Sequence, residues 1–160
     1  PDGNKVIQPI NLLTKNFELV AASKDWHPEG TVHFEKWPPH CVQGTKGAEF
    51  PERLDHENIS QVFLKGTGNK DDGYSAFEAT SDDLEAYLKD NETEELYICG
   101  LTTEYCVKDT AIDAANKGFK TYLVTDAVEG VKAKPGDPEK AMEEMRKANV
   151  RFIKTIQLLQ

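Results

Sequence analysis

At 160 residues the chain has room for one compact domain with a real core, and 38% hydrophobic with 29% charged residues suits a soluble globular protein. Its 28 acidic residues against 19 Lys and Arg leave a net charge of −9, which argues against nucleic acid or an anionic membrane as partner. No apolar stretch approaches membrane-spanning length, the first residues do not read as a signal peptide, and three cysteines at irregular spacing make no disulfide framework. The expectation is a reducing, cytoplasmic setting and a single domain over residues 1–160.

Taken in order, Asn4 to Thr14 places Val6, Ile7, Ile10, Leu12 and Leu13 at helical spacing, with Pro9 an awkward interior residue. Glu18 to Ser23 reads as a buried strand. Lys24 to Phe50 is a long loop rich in Pro, Gly, His and Trp, and loops of that length inside a compact domain are usually functional. Gln61 to Gly66 is the next strand. A Gly/Asp-rich loop follows to Thr80, and Ser81 caps a helix through about Lys89. Leu96 to Cys99 is a short apolar strand punctuated by Gly100, with Thr102 or Thr103 able to cap a helix from Val107 to Lys117 that Gly118 stops. Phe119 to Thr125 is a strand, Asp137 to Ala148 a helix with Pro138 in its first turn, and Val150 to Ile156 a last strand.

This alternation implies an α/β fold, a mostly parallel central sheet with helices on both faces. The series opens on a helix, so a preceding strand is expected to be missing from this chain. Sites in such sheets lie beyond the carboxyl ends of strands. Lys24-Asp25-Trp26-His27, Lys65-Gly66 and Gly100 to Cys106 all end strands there and could converge.

Three chemistries are legible in those stretches. Asp25 and His27, two apart, can face one side of a strand end, and His33 and His40 follow in the loop. A carboxylate with two or three imidazoles suits Zn²⁺, Fe²⁺ or Mn²⁺ with positions left for water or ligand. Cys41 beside His40 also permits a closed zinc site, although adjacent residues rarely both point at one ion. Cys106 sits where a strand gives way to a helix, and there free N–H groups can stabilise a thiolate or hold an oxyanion; the alternative is a small buried cysteine. Lys65 either reaches solvent or, near Cys106, lowers the thiol pKa. Trp37 and Tyr74 either sandwich a flat ring or pack the loop. Glu104 and Asp109 read as residues that serve the helix dipole and solvation, Asp126 as a turn cap and His56 as surface.

The stretches Asp25-Trp26-His27-Pro28, Trp37 to Thr45 and Gly47 to Phe50 together resemble the metal loop of nicotinamidases, also called pyrazinamidases, within the isochorismatase-like cysteine hydrolases. Phe63 to Gly66 and Gly73 to Glu78 resemble that family's lysine strand and following loop, and Gly100 to Val107 its nucleophile turn. The match runs through nearly the whole chain, in family order. It implies a three-layer α/β/α fold and a metal-dependent amidohydrolase that converts nicotinamide to nicotinate and ammonia in NAD salvage through a Cys106 thioester. By the same resemblance Lys65 is the charged partner of Cys106, and Asp25, His27 and His40 are metal ligands, with His33 as the variable fourth. One divalent metal is implied, zinc first and iron or manganese after it. A cis peptide is implied at Leu101–Thr102, turning the Thr102 N–H toward the oxyanion alongside that of Cys106. Trp37, Tyr74 and Tyr105 would line the ring pocket. The family opens on a strand bearing a catalytic Asp, and Pro1-Asp2-Gly3-Asn4-Lys5 looks like the segment just after it; Asp2 is no replacement. The implied partner is a small-molecule substrate, with no nucleic acid or membrane, and a homo-oligomer is left open. The rival readings are another cysteine amidase or carbamoyl hydrolase of the superfamily, and a non-catalytic metal-binding remnant.

Overall fold

The computed structural model describes residues 2–159. Its strands all pair in parallel. β1 (Ala21–Asp25) pairs with β2 (Gln61–Lys65), running from Ala21 opposite Gln61 to Asp25 opposite Lys65. In a second sheet β3 (Glu95–Leu101), β4 (Lys120–Glu129) and β5 (Arg151–Ile153) lie in that order. The helices are α1 (Ile7–Thr14), α2 (Leu84–Asp90), α3 (Lys108–Asn116), α4 (Asp137–Lys147) and α5 (Thr155–Leu158). The expected α/β class, parallel strands flanked by helices, is the class observed.

The central strand of the second sheet shows why helices cover both faces. Successive side chains of a strand point to opposite sides. On β4, Leu123 and Val124 are both fully buried. Leu123 packs with Val107, Ala111, Met145 and Val150, the side covered by α3 and α4. Val124 packs with Leu13 and Ala127, against Ile10, Phe17 and Leu158, the side covered by α1 and α5. A third cluster around Phe63 gathers Leu84, Leu88, Ala114 and Phe119, joining β2 to α2 and α3.

Several boundaries differ from the sequence expectation, each for a local reason. The first strand is Ala21–Asp25 rather than Glu18–Ser23, because register with β2 carries it through the polar residues Ser23, Lys24 and Asp25. Asp83, not Ser81, caps α2, its Oδ1 accepting from the Ala86 N–H at 3.0 Å; the Ser81 hydroxyl instead accepts from the Leu64 N–H at 2.8 Å. β4 extends to Glu129, aided by a register shift that sets Gly100 opposite Val128. β5 ends at Ile153 because Asp126 Oδ1 accepts from both the N–H and hydroxyl of Thr155, at 2.9 and 3.0 Å, and turns the chain into α5. Asp126 therefore differs from its reading as a turn cap after a strand end: it lies within β4 and holds the start of α5 instead. Pro9 is tolerated because it falls in the first turn of α1, where N–H groups have no helical partner.

Removing the fully buried Leu123 side chain from between α3 and α4 is expected to cost about 2–5 kcal/mol. Urea unfolding of Leu123→Ala, followed by circular dichroism, reads this as a lowered midpoint with an unchanged slope.

Candidate active site and metal centre

The ends of β1 and β2 and the turn after β3 meet at one buried ammonium. Lys65 is 2% exposed, and its Nζ donates to Asp25 Oδ1 at 2.5 Å, to the Gly73 carbonyl at 2.8 Å and to Cys106 Sγ at 3.2 Å. Parallel register places Asp25 beside Lys65. Gly73 is fixed by the next turn, where Ser75 and Glu78 form a capping box and the Ala76 N–H donates to Thr110 Oγ1 of α3 at 2.8 Å. Cys106 lies in a π-helical turn, Thr103–Val107, that opens α3. Within it the Tyr105 and Val107 N–H groups both donate to the Thr102 carbonyl, at 3.1 and 3.2 Å. The Leu101–Thr102 peptide is cis.

Electrostatics in this trio are coupled. Burial pushes the Cys106 thiol up and the Asp25 charge adds to the rise, while the Lys65 ammonium pulls it down. Lys65 therefore acts in the direction expected from sequence, but burial outweighs it. Burial likewise works against the Lys65 charge, yet Cys106 and Asp25 leave its pKa raised. Burial also opposes ionisation of Asp25, but His27 and the Lys65 ammonium overcome it and hold the carboxyl at about 2.

Three imidazoles stand against Asp25. Ring nitrogens of His27, His33 and His40 lie within 4.8 Å of one another. Each Nδ1 sits on an oxygen: the Gly66 carbonyl for His27 at 2.9 Å, Asp71 Oδ1 for His33 at 2.9 Å, and the Pro38 carbonyl for His40 at 2.7 Å. Carbonyl and carboxylate oxygens only accept, so each ring donates from Nδ1, and its Nε2 makes none of these bonds. His27 Nε2 is buried and has no partner among the described residues. A buried polar atom without a partner is costly, and a cation would relieve it. Asp25 Oδ2 is 3.7 Å from His27 Nε2 and 4.0 Å from His40 Nε2. Burial lowers the His33 pKa despite Asp71, and the neutral ring is the form that ligates. This donor set fits a divalent cation.

Backbone packing supports the cluster. Gly66 has φ +63° and its Cβ, if present, would lie 2.5 Å from His27 Cε1; a Cβ on Gly73 would lie 2.2 Å from the Gly66 nitrogen. Only glycine allows that approach. Beside the imidazoles, Trp37 and Tyr105 meet edge to face at 4.8 Å, and Tyr74 and Tyr105 ring centres are 6.2 Å apart. Trp37 Nε1 donates to the Tyr74 hydroxyl at 3.0 Å.

The isochorismatase domain pattern matches residues 1–157. The chain belongs to the isochorismatase family. Among similar members of that family, the nicotinamidase of Escherichia coli is 35% identical over 92% of this chain and 82% of its own length. The nicotinamidase/pyrazinamidase of Mycobacterium tuberculosis is 37% identical over 86% of this chain and 77% of its own. Among solved structures, an Acinetobacter nicotinamidase superposes with a TM-score of 0.92 at 32% identity, covering 99% of this chain and 88% of that one. The pyrazinamidase of Pyrococcus horikoshii in complex with zinc gives 0.85 at 41% identity, covering 96% and 87%. A Leishmania infantum protein in complex with nicotinate gives 0.89 at 31% identity, covering 96% and 81%.

Against the sequence expectation for an isochorismatase family member, the structure brings Asp25, His27, His33, His40, Lys65, Cys106, Trp37, Tyr74 and Tyr105 together. The Leu101 side chain is 47% exposed, and only its peptide belongs to the site. Cys41 is not among the clustered donors, and its carbonyl instead accepts from the His27 N–H at 2.9 Å. His56 is exposed. Glu104 differs from its reading as a solvated dipole residue: it is 6% exposed and accepts from the Val131 and Lys132 N–H groups at 3.0 and 2.8 Å, tying the Cys106 turn to the chain after β4. A Cβ on Gly130 would meet its carboxylate at 2.4 Å, which is the nearest thing to a sequence signal for that clamp. Asp71 is the other residue missed. It receives His33, the Tyr74 hydroxyl at 2.7 Å and the Lys36 ammonium. Its sequence signal was no more than one of two aspartates in a Gly/Asp-rich loop. Lys36 and Tyr74 hold its carboxyl well below the usual range, and burial together with Asp71 pushes the Tyr74 hydroxyl up to about 12.

Gly66→Ala drives a methyl into the His27 ring at a backbone angle that L residues avoid. The expected result is a loss of about 1–3 kcal/mol of stability and binding of a divalent cation weakened by about 10-fold or more, read by thermal melting and chelator competition.

Proposed function

We propose that the chain is a metal-dependent nicotinamidase that hydrolyses the carboxamide of nicotinamide, and of its analogue pyrazinamide, to the carboxylate and ammonia, a step of NAD salvage. The observation that carries this reading is Lys65 Nζ, 3.2 Å from Cys106 Sγ and 2.5 Å from Asp25, beside three clustered imidazoles. The nicotinamidase relatives support an amide hydrolase, and their names point to nicotinamide as its substrate.

In this scheme Asp25, His27, His33 and His40 would hold a divalent cation, which would supply Lewis-acid chemistry beside the ring pocket. Zinc is the first candidate, in keeping with the zinc complex of the Pyrococcus relative. Trp37, Tyr74 and Tyr105 provide flat, rigid walls for a heteroaromatic ring. The Cys106 thiol gives up its proton to a base as its sulfur attacks the carboxamide carbon, forming a C–S bond, and the Lys65 ammonium offsets the charge on sulfur. The N–H groups of Thr102 and Cys106 would hold the oxyanion, each such donor being worth about 2.7–4 kcal/mol in enzymes where one was removed. The C–N bond then breaks and ammonia leaves. Water attacks the thioester, releasing nicotinate and restoring the thiol. The proton transfers into ammonia and out of water call for a general acid–base group.

Ammonia release from nicotinamide by the full-length protein tests this reading. Cys106→Ala should lower the rate on the order of 10⁴–10⁶-fold, the range for losing a member of a covalent catalytic set. Stripping divalent metal should also abolish turnover, with recovery on adding zinc. Equal rates for parent and Cys106→Ala would end the cysteine mechanism, and full activity after stripping would favour a metal-free amidase of the superfamily.

A further inference from the structure

The three imidazoles are not supported alike. His27 and His40 give their Nδ1 protons to backbone carbonyls, of Gly66 and Pro38. His33 alone gives its proton to a side chain, the carboxylate of Asp71, at 2.9 Å. The same Oδ1 accepts from the Tyr74 hydroxyl at 2.7 Å, and Oδ2 accepts from Lys36. Tyr74 accepts in turn from Trp37 Nε1 at 3.0 Å. An unbroken line therefore runs from the Trp37 indole through the Tyr74 hydroxyl and Asp71 to the His33 imidazole. Both ends of that line face the site: His33 Nε2 toward the other imidazoles, and Trp37 and Tyr74 toward Tyr105.

Because a carboxylate only accepts, Asp71 fixes the His33 tautomer with its lone pair on Nε2, and it also fixes the Tyr74 proton, leaving that oxygen to accept from Trp37. We propose that Asp71 is a positioning residue that sets, through one carboxylate, both the cation affinity of the imidazole cluster and the aromatic wall of the ring pocket. This rests on the metal-dependent amidase reading. It gives the Gly/Asp-rich loop after β2 a specific task, that of joining metal loop to ring pocket from outside the shell of groups that touch either ligand.

The test uses full-length protein carrying Asp71→Ala or Asp71→Asn, with the surface variant His56→Ala as control. Zinc affinity is measured by competition with a chromogenic chelator, independent of turnover, and the melting temperature of the metal-free protein is measured alongside. Asp71→Ala should weaken zinc by about 10–100-fold, the range for losing an outer-shell partner of a metal-bound histidine. Asp71→Asn keeps a carbonyl acceptor and should fall between Ala and parent, with His56→Ala matching the parent. At saturating zinc, Asp71→Ala should raise KM for nicotinamide more than it lowers kcat, because the Trp37–Tyr74 wall has lost its anchor. Zinc affinity within twofold of parent in both folded variants overturns the proposal, as does an unchanged KM at saturating zinc. A parent that releases no ammonia from nicotinamide defeats the functional reading, while the zinc measurement still decides the role of Asp71.

Discussion

The site depends on a buried cation shared by three acceptors. Lys65 has lost its water, and an ammonium in that position is tolerable only when its donors are satisfied. Asp25, Gly73 and Cys106 satisfy them. Each acceptor comes from a different part of the chain: the end of β1, the loop after β2, and the turn after β3. Together they hold the first sheet and the Cys106 turn after β3 around one nitrogen. The same bonds put the carboxylate that faces the imidazoles one ammonium away from the sulfur. The charge pattern is consistent with this, since Lys65 stays protonated despite burial and Asp25 stays ionised.

A second constraint acts on the imidazoles. Their orientation comes from acceptors that cannot donate, two on the backbone and one on a side chain. That difference matters for how the site can vary. Carbonyl supports such as Gly66 and Pro38 persist through any substitution that keeps the loop's path, whereas the support of His33 can be removed at Asp71 without moving the chain. The glycines at 66 and 73 belong to the same design, because they let two backbones and an imidazole occupy a space that a single methyl would fill.

Much of this was legible in the sequence. Alternating apolar strands and capped helices give the α/β class, because hydrophobic period and Gly/Pro punctuation are local signals. Asp25, His27, Lys65 and Cys106 stand at or just past strand ends, where parallel topology brings residues about forty positions apart into contact. Boundaries were less legible. The strand of Ser23, Lys24 and Asp25 is polar and exists by pairing with β2, and β5 is cut short by a cap from Asp126, 29 residues earlier. Long-range partners were the least legible. Asp71 and Glu104 act through hydrogen bonds to residues 38 and about 27 positions away, and nothing in the local pattern distinguishes such a carboxylate from a solvated one. The net direction of the Cys106 pKa was also out of reach, since it depends on how deeply the thiol is buried.

The shared ammonium is tested most directly by the pH dependence of Cys106 alkylation with iodoacetamide, followed by peptide mass spectrometry that separates Cys106 from Cys41 and Cys99, in parent and Lys65→Met protein of equal helical content. Lys65 pulls the Cys106 pKa down, so its removal should move the alkylation midpoint to higher pH and slow the reaction at neutral pH. The same midpoint in both proteins would contradict a Lys65 ammonium held against the Cys106 sulfur.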